Sequence, residues 1–174
     1  FLADKYRIMA CGASVGRDYG PIVASKSLTS AADLEGKRIG IPGEYTTAYL
    51  LIRIYLERPF TPVLLNFDEI VEAVDSGTVD AGVIIHEGQI TLEAQGYRTI
   101  LDLGVTWGED TGLPIPLGLD MVHRRLGDDA IQRVAEMFQT SIRYSIAHED
   151  DAGKAAEFAC DVCSWGCTRI PSKQ

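Results

Sequence analysis

No apolar run in these 174 residues approaches the roughly 18 to 20 residues that a membrane-crossing helix needs, so no membrane insertion is expected. No basic segment followed by an apolar one opens the chain, so the pattern of a secretion signal is missing. The chain starts at FLADKYRIMA without an initiator methionine and reads as part of a longer polypeptide. Positive charge is scarce, with 16 Lys and Arg against 25 Asp and Glu and a net charge of −9. A nucleic-acid surface requires a basic patch, and none is visible, so no nucleic-acid partner is expected. Histidine is rarer still, with three in the whole chain.

Cysteine is also sparse. Cys11 stands alone, and Cys160, Cys163 and Cys167 crowd the tail as CDVCSWGC. The C-x2-C-x3-C spacing suits thiolate ligation, but a tetrahedral zinc site needs a fourth ligand, and no histidine follows at finger spacing. The cysteines are therefore read as reduced and structurally minor, with no metal expected. The familiar nucleotide and hydrolase signatures are missing as well. GASVGRDYG is not G-x-G-x-x-G, and there is neither a P-loop nor a nucleophile elbow. Internal repeats and low-complexity tracts are equally absent.

What is present is a globular composition, 46% hydrophobic and 24% charged, long enough for a packed core. Short apolar runs alternate with helical periodicities. Lys37 to Pro42 reads as a strand, followed by a helix starting near Thr46 with Ala48, Leu51, Ile52 and Tyr55 on one face. Thr61 to Phe67 is a second strand. DEIVEAVDSG is a helix with Asp68 as N-cap and Gly77 as its stop. Val79 to Ile85 is a third, continuously apolar strand. Such runs, alternating with helices, point to a parallel sheet covered on both faces. Further strand candidates are Gly20 to Lys26 and Leu117 to Arg125. A helix after them carries Ile131, Val134, Ala135, Phe138, Ile142 and Ile146 on one face.

In open α/β sheets ligands bind beyond the carboxyl ends of the strands, and two such ends carry chemistry here. In IPGEYTTAY the strand stops at Pro42, and Thr46 and Thr47 open a helix whose free amides suit a carboxylate or phosphate. The same threonines also suit simple capping. In AGVIIHEGQ, His86 closes the apolar strand, where an imidazole can exchange a proton near neutral pH. A hydrogen-bonded histidine at a strand end would look the same. Glu87 follows it and points to the opposite face of the strand. Both ends lie on one sheet edge, so the threonine-lined helix start and His86 share a crevice. Arg17 and Asp18 lie in a glycine-punctuated loop that either approaches a ligand or merely turns the chain. His123 reads as a surface residue, and His148 as a helix C-terminal partner.

Four segments, CGASVGRDYGPIVAS, LEGKRIGIPGEYTTAYLL, SGTVDAGVIIHEGQITLEAQGY and LDLGVTWGEDTGLPIPLG, occur in the order seen in the 1,4-dihydroxy-6-naphthoate synthases of the futalosine route to menaquinone. The resemblance spans roughly Asp4 to Gly127. It implies an α/β, type II periplasmic-binding-protein-like fold, with two lobes joined by two crossover strands and a ligand in the cleft between. On this reading residues 1–26 hold a remnant of lobe 1 and the first crossover strand. Residues 27–113 form a complete lobe 2, and 114–174 hold the second crossover strand, the return helices and an atypical tail. GPIVASK and LGLDMVHRR would be the crossover strands, and lobe 1 is expected to be incomplete.

The resemblance further implies a cytoplasmic carbon–carbon lyase that cleaves cyclic dehypoxanthinyl futalosine to 1,4-dihydroxy-6-naphthoate, without metal or organic cofactor. His86 would be its general base. Thr47 and Ala48 would bind the carboxylate-bearing substrate, with Thr46 beside them. The alternative on the same fold is a non-catalytic solute-binding protein of an ABC-type transporter, which has no need of a proton-transferring group at His86. A dehydratase related to the naphthoate synthases is a third reading, disfavoured by IIHEGQ followed by TGLPIPLG.

Overall fold

The computed structural model describes residues 3–17 and 19–162. Asp18, Cys163, Cys167 and the side chains of Cys160 and Glu87 lie outside the described part. The chain divides into two compact units, Gly16–Ile115 and Phe1–Val15 with Pro116–Gln174.

The Gly16–Ile115 unit is built on five strands, β2 (Ile22–Ser25), β3 (Arg38–Ile41), β4 (Thr61–Leu64), β5 (Ala81–Ile84) and β6 (Arg98–Asp102). They are ordered β4-β3-β5-β2-β6. Strand β3 pairs parallel with β4 and β5. Strand β2 runs antiparallel to both of its neighbours, pairing Val23 with Val83 of β5 and with Leu101 of β6. The three strands read as parallel are so, and the sheet as a whole is mixed because β2, read as a crossover strand, joins it antiparallel. The run betrays burial on both faces and nothing about direction: β2 and β5 are each buried at all four positions. GPIVASK is accordingly an inner strand of this sheet. The strand at which the chain first passes between units is β1 (Tyr6–Gly16), which forms a two-stranded sheet with β7 (Ile115–His123). Gly12 and Gly16 interrupt its pattern, and no strand was expected there.

Three helices cover the sheet: α1 (Thr47–Tyr55), α2 (Ile70–Asp75) and α3 (Leu103–Thr111). The inward face of α1 is the expected one, with Ala48, Leu51 and Ile52 buried. Helix α2 starts one residue later than expected. Glu69, with no side-chain capping bond, precedes its first residue, while Gly77 follows its end at φ 72°. Its Ile70, Ala73 and Val74 pack with Ile22, Ala24, Val79, Ile84, Leu92 and Tyr97 in one apolar cluster. Helix α1 packs instead against α3, and α3 against β2. Two glycines permit that last contact. A Cβ on Gly20 would lie 2.7 Å from the Cα of Gly104, closer than any side chain tolerates.

Polar clamps tie the sheet at the edge where β3 and β5 begin. Asp80 accepts from the Arg38 amide at 2.9 Å and from its guanidinium at 3.1 and 3.2 Å. Asp75 receives the Tyr97 hydroxyl at 2.5 Å and the Lys26 ammonium at 2.5 Å. The hydrogen bonds from Lys26 and then Tyr97 hold the Asp75 carboxyl below its ordinary value, and those from Arg38 do the same for Asp80. Burial first, then the Asp75 carboxylate, pushes the Tyr97 phenol up, so its proton stays in the bond. A carboxyl depressed in the folded state adds stability above its unfolded value, about 3.9 for aspartate, and that stability is lost as pH falls through the folded value. Urea midpoints measured between pH 7 and pH 2.5 are thus expected to fall below about pH 4. The double variant Asp75→Asn with Asp80→Asn should be less stable at pH 7 and flatter with pH. An equally steep acid limb in that variant would remove these two carboxylates from the account.

In the other unit, β1 and β7 carry Met9 and Val122 against Ile131 of α4 (Asp128–Ala147), with Cys11, Val134 and Ala135 around them. Half-buried Cys11 donates from Sγ to the Ala135 carbonyl at 3.4 Å, a weak thiol hydrogen bond. The expected apolar face of α4 is therefore used near its start. Further along, Phe138 and Ile146 are exposed. His148 ends α4, its Nδ1 3.0 Å from the Tyr144 carbonyl, and α5 (Glu149–Val162) follows. No helix among the described residues is long and apolar enough to cross a membrane.

Candidate functional site

Because β3, β4 and β5 are parallel, their carboxyl ends fall on one edge of the sheet. Gly40 is level with Gly82, so Ile41 ends β3 beside the last residues of β5. The loops leaving these strands hold the residues singled out above: Thr46, Thr47 and Ala48 after β3, and His86 after β5.

Thr46 is the N-cap of α1. Its Oγ1 accepts from the Tyr49 amide at 3.2 Å and donates to the Gly43 carbonyl at 2.8 Å. Its hydroxyl proton is thus spent locally. Ala48 is buried, so its side chain offers a ligand nothing. No hydrogen-bond partner is found for the amides of Thr47 and Ala48, the first two of the helix. What this loop offers an anion is two amides and the positive end of α1, with the half-buried Thr47 hydroxyl beside them.

A shallow depression of about 500 Å³ lies alongside, lined by Pro42, Gly43, Glu44, Tyr45, Leu64, Leu65, Asn66 and Glu69. Its two glutamates disfavour a carboxylate ligand within it. His86, Thr47 and Ala48 are not among its walls.

His86 is half-buried at the first position after Ile85, and it begins a 3₁₀ turn, Glu87–Thr91. Its Nδ1 accepts a hydrogen bond from the Gly88 amide at 3.0 Å. The Phe67 ring, from the loop after β4, stands against the imidazole at 6.0 Å between centroids and tilted by 60°. Phe67 reaches it past the end of β3, a contact that the reading of Thr61 to Phe67 as one strand concealed; β4 stops at Leu64. In the turn itself, Gln89 Nε2 is buried and has no hydrogen-bond partner. An orphaned buried donor costs about 1–3 kcal/mol. The HEGQ string was in view from the start, and a histidine followed by glycine two residues later was the readable signal for this turn.

Of the remaining candidates, Arg17 is exposed at the end of β1. His123 is half-buried against Tyr6, 5.0 Å between ring centroids, rather than a plain surface residue. No group of three or more metal-ligating side chains is found among the described residues.

This mixed α/β fold is shared with periplasmic binding proteins. The alkanesulfonate-binding protein of Xanthomonas axonopodis superposes with a TM-score of 0.63 over 90% of this chain and 54% of its own, at 24% identity. The fold is therefore periplasmic-binding-protein-like.

Within that fold the chain belongs to the menaquinone biosynthesis family, whose model matches residues 1–160. The 1,4-dihydroxy-6-naphthoate synthase of Thermus thermophilus is 40% identical over 149 residues, 86% of this chain and 54% of that one. The Streptomyces coelicolor enzyme of the same name is 37% identical, covering 82% of this chain and 52% of its own. A crystallised protein of Archaeoglobus fulgidus is 43% identical with a TM-score of 0.76, over 94% of this chain and 61% of its own. The chain thus spans about half the length of the curated relatives it matches.

Proposed function

We propose that this chain supplies the His86-bearing half of a naphthoate-synthase site. In that site cyclic dehypoxanthinyl futalosine is cleaved to 1,4-dihydroxy-6-naphthoate, making the protein a carbon–carbon lyase. The observation that supports this most is the placement of His86 and the open amides of Thr47 and Ala48 on one sheet edge, within a family of menaquinone biosynthesis. The amides and the helix end hold the substrate carboxylate, with Thr46 shaping the turn. His86 removes the proton that starts the elimination. These roles use side chains and backbone alone. A solute-binding protein would need the anion-binding part without the imidazole, and this reading is the second choice for that reason.

The test is a chimera. Residues 16–115, the more self-contained unit, replace the matching segment of the Thermus thermophilus enzyme. Formation of the naphthoate from the cyclic futalosine is then followed by chromatography. Turnover within about tenfold of the parent is expected, a loss of under about 1.4 kcal/mol in transition-state stabilisation. A folded chimera that binds substrate without forming product would sink the lyase reading and favour the transport one.

A further inference from the structure

The two ring nitrogens of His86 are not equivalent. Nδ1 has its lone pair occupied by the Gly88 amide at 3.0 Å. A neutral imidazole that accepts at Nδ1 carries its hydrogen on Nε2. The bond by itself is an ordinary cap, because His123 makes the same one to the Arg125 amide at 3.1 Å, without a glycine at that position. Gly88 differs in what it permits. A Cβ there would overlap His86 Cε1 and lie 2.6 Å from Nδ1. The imidazole therefore lies directly over the Gly88 Cα in a place that any other residue at 88 would fill. At His123 the cap forms beside a full arginine side chain. At His86 the absence of a side chain is what admits the ring.

We infer that Gly88 is the positioning residue of His86, fixing its resting ring as the Nε2–H tautomer and so dividing the work between its nitrogens. At rest Nε2 is a hydrogen-bond donor to a substrate oxygen. Nδ1 is the atom that accepts a proton. Resting on the lyase reading, the step runs as follows. The Nδ1 lone pair is held by the Gly88 N–H, so the ring first swings off that amide. A proton then leaves a substrate carbon for the freed Nδ1, and the C–H electron pair stays on the substrate. The ring becomes an imidazolium, with the Gly88 N–H left unpartnered. The site is thus set to donate at rest and pays one backbone hydrogen bond when it accepts.

Long-range ¹⁵N–¹H correlation spectra of the 174-residue chain read the tautomer directly. His86 is expected to show one protonated nitrogen, Nε2, and the Gly88 amide resonance is expected to move as the imidazole is titrated. An Nδ1–H ring, an even mixture of tautomers, or a Gly88 amide indifferent to that titration would overturn the assignment. These measurements need no variant. Gly88→Ala, followed in the same spectra, should lose the single tautomer at His86 and leave His123 unchanged. In the chimera it should lower kcat roughly tenfold to a hundredfold with KM little altered. Retention of both the tautomer and kcat would remove Gly88 from the role. If the Nε2–H tautomer is found while His86→Ala still turns over, the lyase reading fails and the nitrogen assignment stands.

Discussion

In the Thermus chimera, His86→Ala is expected to lower kcat by about 10²- to 10⁴-fold, the usual cost of removing a positioned acid–base group. Substrate binding should persist, because the amides of Thr47 and Ala48 belong to a different loop. The change also removes the cap on the Gly88 amide, a loss of about 0.5–1.5 kcal/mol in folding stability. His86→Asn separates these effects. Asparagine offers a capping acceptor to the 3₁₀ turn and cannot take a proton at neutral pH. It should therefore melt close to the parent and remain as inactive as the alanine variant. Turnover near the parent rate in either variant would remove His86 from the reaction.

The second large effect concerns the packing that holds β5 in place. Ile70 opens α2, is fully buried, and places its Cγ2 where a Cβ on Gly82 of β5 would stand. A Cβ on Gly40 of β3 would meet the same methyl at 3.4 Å, an ordinary contact. Helix and sheet thus approach through the space left by the glycine at 82. Ile70→Ala should cost about 2–5 kcal/mol, measured by urea unfolding of the 174-residue chain. Gly82→Ala should cost about 1–3 kcal/mol through overpacking. The double variant is the sharper measurement. With the isoleucine gone, the new methyl at 82 partly fills the space, so the pair should lose clearly less than the two single losses combined. Strict additivity would show that the two side chains do not compete for one slot.

How far the sequence foretold this arrangement differs from element to element. Strands β3 and β5 and helix α1 were legible because burial on both strand faces, or on one helix face, leaves an unmistakable apolar pattern. The position of His86 at the carboxyl edge followed from those elements. Strand β6 was not read, because RTILD is only partly buried along its length and has neither a continuous run nor a clean alternation. Helix α3 escaped for a related reason: only Leu103 and Gly104 are buried in it, and one of these has no side chain to signal an apolar face. The antiparallel direction of β2 left no trace at all, since a strand buried on both faces is apolar whichever way it runs. Within the site, residue types and edge were legible, and hydrogen-bond polarity was not. That the Thr46 proton goes to Gly43, or that the Gly88 amide meets Nδ1, depends on loop geometry that composition does not encode.

The mixed sheet also bears on how the chain is made. Strand β2 sits between β5 and β6 and pairs with nothing else. Its partner Ile84 leaves the ribosome about 60 residues after Ile22, roughly 3–12 s later at ordinary translation speeds. During that interval a mostly apolar strand waits with both of its hydrogen-bonding edges open, the condition under which nascent chains recruit chaperones or find one another. Synthesis must therefore pass residue 102 before β2 has both of its neighbours.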